Sequence, residues 1–329
     1  MDQRRLGTTG LRVSRLGLGT MTWGRDTGED DAAAQLTAFA DAGGTLVDTG
    51  AAYAGGDAEL IVGRLLRDVV PRSAVVLATK TAAACVPGGQ GVPGGAPAGS
   101  PDASRRSVLA CLDASLRRLG VDHVDLWQVH AWDQSTPLEE TLSAVDDAVA
   151  TGRVRYAGVC NYAGWQLARA ATWQRAWPGR APISSVQVEY SLLARAAEHE
   201  VLPAAADMGV GVLCWSPLGR GVLTGKYRTG IPADSRAATP HFGPFVRPYL
   251  DERGRAIVEA VTTAADGLGV SPLAVALSWI RDRPGVCAAV VGARTTGQLT
   301  GILQTEDVAL PPEISGALDD VSAAAPPPG

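Results

Sequence analysis

Lysine is nearly absent from this 329-residue chain: of its 29 lysine and arginine residues, only Lys80 and Lys226 are lysines. Where a bare positive charge suffices the sequence uses arginine, so these two positions are the first to examine. Lysine offers a compact ammonium whose pKa burial can move, which suits proton relays and single phosphate oxygens. Dense basic patches are missing as well, and a net charge of -5 lacks the electrostatic footprint of a nucleic-acid binder. No stretch approaches the roughly 18 uncharged apolar residues of a membrane span. The start, Met1-Asp2-Gln3-Arg4-Arg5, runs into polar turn residues instead of an apolar export signal. Cys85, Cys111, Cys160, Cys214 and Cys287 occur singly, without a CxxC or Cys/His cluster. That argues against disulfides and zinc and leads us to expect reduced core thiols in a cytoplasmic protein. There is no HExxH helix and no Ser-His-Asp arrangement, and His123, His199 and His241 read as surface or loop residues.

What is present is an alternation of short apolar runs with amphipathic stretches, the signature of repeated βα units around a parallel sheet. After a hairpin-like lead over residues 5–13, strands are expected at Arg15–Gly19, Thr45–Asp48, Val75–Thr79, Val124–Val129, Tyr156–Val159, Ser185–Glu189, Gly211–Trp215 and Ala288–Val291. Helical segments fall between them at Asp30–Ala42, Ala58–Leu66, Ser104–Leu119, Leu138–Ala150, Trp165–Trp173 and Ser271–Arg281. Eight such units predict a single-domain (β/α)8 TIM barrel. A doubly wound sheet competes, but Gly17-Leu18-Gly19-Thr20-Met21-Thr22 lacks the third glycine of a dinucleotide turn. Two loops are too long for connectors: residues 85–102 after the third strand, rich in Gly, Pro, Ala and Ser, and residues 226–255 after the seventh. Both leave the C-terminal ends of strands, where barrel active sites are built. The end of the chain, residues 322–329, reads as a disordered tail.

Asp48, Lys80 and His130 close three successive strands, and Tyr53 follows Asp48 closely. Ionisable groups placed this way converge on one mouth of the barrel, where opposite charges stabilise one another. The chemistry they suggest is proton transfer to a developing alkoxide. A free tyrosine is too weak an acid to protonate quickly at neutral pH, and an ammonium from Lys80 is expected to lower its pKa. Asp48 would hold Lys80 protonated, and His130 would donate a hydrogen bond that fixes a substrate carbonyl near Tyr53. The loops after strands seven and eight carry Ser216-Pro217-Leu218-Gly219-Arg220-Gly221 with Lys226, and Gly292-Ala293-Arg294. Glycine amides and a point charge there make an anion site. Trp215 reads either as a stacking face for a flat ring or as a core tryptophan.

Three motifs in series carry a resemblance. Asp48-Thr49-Gly50-Ala51-Ala52-Tyr53 is similar to an Asp-Thr-Ala-x-x-Tyr motif. Residues 119–130, Leu-Gly-Val-Asp-His-Val-Asp-Leu-Trp-Gln-Val-His, resemble Leu-Gly-x-Asp-Tyr-Ile-Asp-Leu-x-x-x-His. Residues 152–161, Gly-Arg-Val-Arg-Tyr-Ala-Gly-Val-Cys-Asn, resemble Gly-Lys-Val-Arg-x-x-Gly-x-Ser-Asn. On these the chain is identified as a member of the aldo-keto reductase superfamily over essentially its whole length. The resemblance implies NADPH-dependent reduction of an aldehyde or ketone, with a catalytic tetrad of Asp48, Tyr53, Lys80 and His130 and with Tyr53 as general acid. It further implies cofactor contacts from Thr20, Met21 and Asp48, with Asn161 and Gln187 on the carboxamide and Trp215 stacked on the nicotinamide. Ser216, Pro217, Leu218, Gly219, Gly221 and Lys226 would meet the pyrophosphate, Arg236 would sit in a lid, and Gly292, Arg294, Thr296 and Gln298 would surround the ribose phosphate.

The chain departs from the family pattern in places. Cys160 stands where the family has Ser, and can donate only a weak hydrogen bond. Gly301 and Ile302 replace a carboxylate and an amide on the adenine edge, so affinity is expected to lean on Arg294 and Arg236, a pairing that favours NADPH over NADH. Trp23 and Trp132 are expected to line an apolar substrate pocket together with Tyr53 and His130. Two other classes share the barrel: a cofactor-binding regulatory subunit, and a lyase or dehydratase that uses its cofactor without net turnover.

Overall fold

The computed structural model describes residues 1–81 and 102–323. Of the loop expected at 85–102 only Asp102 is among them; residues 85–101 and 324–329 lie outside the described residues. The strands are β1 (Gln3–Arg5), β2 (Arg12–Ser14), β3 (Leu16–Gly19), β4 (Leu46–Asp48), β5 (Val76–Lys80), β6 (Val124–Val129), β7 (Val154–Cys160), β8 (Ile183–Glu189), β9 (Gly211–Trp215) and β10 (Val286–Val291). The helices are α1 (Glu29–Asp41), α2 (Asp57–Asp68), α3 (Arg105–Leu119), α4 (Leu138–Ala150), α5 (Gly164–Arg175), α6 (Val201–Asp207), α7 (Gly243–Val246), α8 (Glu252–Leu268), α9 (Pro272–Arg281), α10 (Thr296–Leu303) and α11 (Pro312–Ser322).

β3 to β10 close into a parallel barrel in sequence order, β10 pairing with both β3 and β9. This is the expected (β/α)8 architecture. The barrel strands are buried along nearly their whole length because barrel interior and helix layer cover both faces. β1 and β2 form an antiparallel hairpin, Gln3 opposite Ser14 and Arg5 opposite Arg12. Leu6 and Val13 from the hairpin region pack with Leu46, Ala78, Leu126, Leu213 and Ala288 into a separate cluster at the N-terminal end of the barrel. Gly7 is required there: with φ +58, a Cβ on it would lie 2.5 Å from the Gly209 carbonyl oxygen.

Helix starts follow from caps. Ser104, Asp251, Ser271 and Thr295 accept from the backbone N–H three residues on. Gly120 and Gly269 end α3 and α8 in the left-handed region. β7 and β8 start earlier than expected, at Val154 and Ile183, where Arg155 and Ser184 interrupt the apolar run, and β10 extends back through Cys287 to Val286.

Two sequence expectations are corrected. The second long loop is not irregular through residue 255. It contains α7 and short single turns and stops at Asp251, whose carboxylate caps α8 through Gly254 N at 2.7 Å. Gly254 is there for close packing, since a Cβ would meet the Tyr249 carbonyl oxygen at 2.1 Å. Ser322, expected at the start of the tail, is instead fully buried, ends α11 and accepts from Arg195 Nη1 at 2.6 Å. Among the described residues no single helix is long and apolar enough to cross a membrane.

Candidate active site

The C-terminal ends of the barrel strands open into a cavity of about 570 Å³. β4 ends in Asp48 and β5 in Lys80, and their parallel register puts Asp48 opposite Ala78, so the two polar side chains meet at the cavity floor. Lys80 is fully buried. Its Nζ donates to Asp48 Oδ1 at 2.5 Å, to the Thr49 carbonyl at 2.9 Å and to the Tyr53 hydroxyl at 3.2 Å. The second Asp48 oxygen accepts from Gln187 Nε2 at 2.8 Å. His130 follows β6, and its ring lies edge-on to Tyr53 at 6.1 Å between centroids. The four residues expected to act together are therefore contiguous in space.

Electrostatics revise two of the expected roles. Burial pushes the Tyr53 phenol up to about 12; Lys80 opposes this, but Asp48 cancels much of the effect of the ammonium. Lys80 lowers the Tyr53 pKa as expected, but burial outweighs the ammonium and Asp48 adds to the rise, so the net shift is upward. Lys80 itself is raised: burial acts against its charge, and Asp48 and then Tyr53 more than compensate. His130 is lowered to about 3, first by burial and then by the Lys80 charge, so its ring is neutral at physiological pH. Its Nδ1 lies 3.3 Å from the Thr81 carbonyl. A carbonyl oxygen only accepts, so Nδ1 holds the proton and Nε2 presents a lone pair. Donation from His130 to a substrate carbonyl, as expected from the sequence, requires the other tautomer.

Beyond β7 and β9 the chain turns through left-handed backbone at two non-glycine positions, Asn161 (φ 57) and Ser216 (φ 52). Such conformations persist where surroundings over-determine them. Here Asn161 Oδ1 accepts from Trp215 Nε1 at 3.0 Å, while Asn161 Nδ2 donates to the His130 carbonyl at 3.2 Å. Asn161 thus ties the His130 backbone to the Trp215 wall. Cys160 is a neutral thiol, pushed up to about 12 by burial, with Sγ 3.9 Å from Gln187 Oε1.

The cavity wall also includes Met21, Pro217, Leu218, Gly221, Lys226, Arg236, Gly292, Arg294 and Gln298. Lys226 is held below its ordinary value by partial burial and by the Arg236 and Arg294 charges, although it stays open to solvent and screening tempers the effect. Arg236 is lowered by burial and then by Arg294. Among the described residues none of the three is held in a direct ion pair, and Asp234 and Asp26 offset their charges only in part, so this end of the cavity is a cationic corner.

Five expected residues stand elsewhere. Trp23 is fully buried in the core with its indole N–H on Gln35 Oε1 at 3.3 Å, and so does not line a substrate pocket. Trp132 packs edge-on against Tyr162 and Trp165 outside the cavity wall. Thr20 is buried and donates to the Asp48 carbonyl. Thr296 is turned to Asp31. Gly219 supports the loop from behind, a Cβ on it meeting Leu193 Cδ1 at 2.4 Å.

Sequence reading placed Arg220 in the anion loop without its partners, and missed Phe245. Arg220 bridges both Glu189 oxygens at 2.9 and 2.7 Å and lies 3.4 Å over the Phe245 ring, and that ring stacks near-parallel on Trp215. In sequence Phe245 is one aromatic in a Pro- and Gly-rich loop, and only the fold brings it to the wall.

A family model described as the Aldo/keto reductase family matches residues 15–323. An uncharacterized oxidoreductase, YrpG, of Bacillus subtilis is 37% identical over 98% of this chain and 96% of its own length. A probable voltage-gated potassium channel subunit beta of Oryza sativa subsp. japonica is 35% identical over 98% and 96%, and the aldo-keto reductase YhdN of Bacillus subtilis is 32% identical over 92% and 88%. With this match over nearly the full length and a barrel of the expected topology, the chain belongs to the aldo/keto reductase family of oxidoreductases.

Proposed function

We propose that the protein reduces an aldehyde or ketone carbonyl to an alcohol with NADPH as hydride donor and Tyr53 as general acid. The observation that carries this reading is the Lys80 ammonium bonded to both Asp48 and the Tyr53 hydroxyl at the floor of a cavity whose far end is cationic.

The residues present fit such a cofactor. A Cβ on Gly221 would stand 3.0 Å from Lys226 Nζ, so the glycine lets the ammonium close on the loop. Gly297 and Gly301 border open space, leaving room along the wall. Lys226, Arg236 and Arg294 form a donor set for phosphate oxygens and are the basis for preferring NADPH. When bound, the cofactor supplies the hydride. The chain does the rest: Trp215 offers a flat wall, and Asn161 and Gln187 offer amides beside it. Tyr53, neutral at physiological pH, gives its proton to the carbonyl oxygen, and the Lys80 ammonium stabilises the phenolate left behind. Asp48 keeps that ammonium charged. Purified protein should oxidise NADPH in the presence of some member of a panel of aldehydes and ketones; no consumption across the panel would sink the reading.

A second reading, a cofactor-binding subunit of a larger assembly, draws support from the Oryza sativa and Arabidopsis thaliana relatives named as probable potassium channel beta subunits. Tight NADPH binding without turnover of any carbonyl would favour it.

A further inference from the structure

We propose that Glu59, outside the cavity, is the positioning residue that holds both Tyr53 and Lys80 in register; this rests on the reductase reading above. Glu59 is fully buried in the first turn of α2. Its Oε1 accepts from Thr79 Oγ1 at 2.6 Å, and its Oε2 accepts from Arg118 Nε at 2.7 Å and pairs with Nη2 at 2.6 Å. One carboxylate thus joins α2, α3 and β5.

Each partner leads to a reacting residue. Thr79 immediately precedes Lys80 in β5, and side chains alternate along a strand. Fixing Thr79 outward onto Glu59 fixes Lys80 inward onto Asp48. On the other side, Tyr53 opens a turn whose next three residues are all left-handed: Ala54 (φ 48), Gly55 (φ 69) and Gly56 (φ 105). The first of these carries a side chain, so the turn is strained and needs outside support. Arg118 supplies it from beneath, since a Cβ on Gly56 would lie 3.0 Å from both Arg118 Cδ and Nε. α2 reaches α3 closely enough for this only because Gly63 has no side chain, its Cβ position being 2.5 Å from the Leu119 carbonyl oxygen. Charge-assisted bonds in a buried site are strong, and a buried carboxylate with every bond satisfied is a rigid anchor. Glu59 touches no reacting atom and acts through Tyr53 and Lys80.

The test uses the full-length protein with Glu59→Gln, and with Arg118→Met as a second variant that keeps the aliphatic stem under Gly56. In both, kcat should fall on the order of 10- to 100-fold while the NADPH dissociation constant stays unchanged, the loss expected from misplaced reacting groups. Amide hydrogen exchange over the Tyr53 turn should accelerate in the resting protein. Placed in a Tyr53→Phe background, Glu59→Gln should cost little further, because the hydroxyl it positions is gone. A general structural role would lower residual turnover there as well. Wild-type kcat in a folded Glu59→Gln protein, or an undiminished loss on top of Tyr53→Phe, overturns the proposal. If Glu59→Gln fails to fold, the same outcomes in Arg118→Met decide it. Should the wild type reduce no carbonyl, the reductase reading fails and exchange alone judges the brace: unaltered exchange at the turn overturns it.

Discussion

Lys80 Nζ lies 2.5 Å from Asp48 Oδ1, with both side chains buried at the ends of adjacent barrel strands. A buried pair of this kind gains little over apolar packing, yet removing one member strands the other charge, at a cost of about 3–5 kcal/mol. Asp48→Asn should lower unfolding stability by about that amount, read from denaturant midpoints. Asp48→Asn with Lys80→Met should be less destabilised than the sum of the single variants. Additive losses would mean that the pair does not hold the barrel mouth.

Tyr53→Phe removes the proposed acid and one acceptor of Lys80, leaving the cationic corner untouched. Turnover should fall by a factor on the order of 10²–10⁴, as for loss of a general acid, with NADPH affinity preserved. Lys80→Arg should also lose most catalysis, because a forked guanidinium cannot replace a compact ammonium in this enclosed space. Retained turnover in Tyr53→Phe would reassign the acid.

The barrel and its mouth were legible because both are written locally. Apolar runs alternating with amphipathic ones gave the strand order, and residues closing β4, β5 and β6 gave Asp48, Lys80 and His130. Roles that depend on neighbours distant in sequence were not legible. The direction of the Tyr53 shift turns on burial outweighing Lys80, and the His130 tautomer turns on a single carbonyl, that of Thr81. Trp23 looked like a pocket residue from its place after β3, but its indole points into the core toward Gln35. Phe245 reached the wall only through Arg220 and Glu189, which no spacing reveals.

His130 makes stability depend on pH with a definite sign. Its folded pKa, about 3, lies below the ordinary histidine value near 6.5 that applies to the unfolded chain. Between these values the unfolded chain binds more protons, so stability rises with pH across that window and is lost as pH falls through it. Denaturant midpoints measured from pH 7 down to about pH 4 should drop less steeply in His130→Gln than in wild type. Nitrogen NMR at neutral pH should show the ring neutral and protonated on Nδ1. Equal slopes would contradict burial and Lys80 as the cause of the lowered pKa, and an Nε2–H ring would contradict the Thr81 contact as the determinant of the tautomer.

The cationic corner predicts how cofactors are told apart. Burial first and then the repulsion among Lys226, Arg236 and Arg294 lower both Lys226 and Arg236, and a bound phosphate relieves that repulsion as well as accepting hydrogen bonds. A bond to a charged group contributes about 1.5–3 kcal/mol, and tenfold in affinity corresponds to about 1.4 kcal/mol. Arg236→Ala should therefore weaken NADPH binding by about 10- to 150-fold and leave NADH binding nearly unchanged. Lys226→Arg keeps a cation at the edge of the cavity and should retain appreciable NADPH binding, whereas Lys80→Arg at the cavity floor should lose turnover. Rising salt should weaken NADPH more than NADH, since the extra charge of NADPH meets cations that solvent reaches in part and ions screen. Fluorescence titration of both cofactors against wild type and variants measures this; a parallel loss of NADPH and NADH in Arg236→Ala would place its guanidinium on the part the two cofactors share.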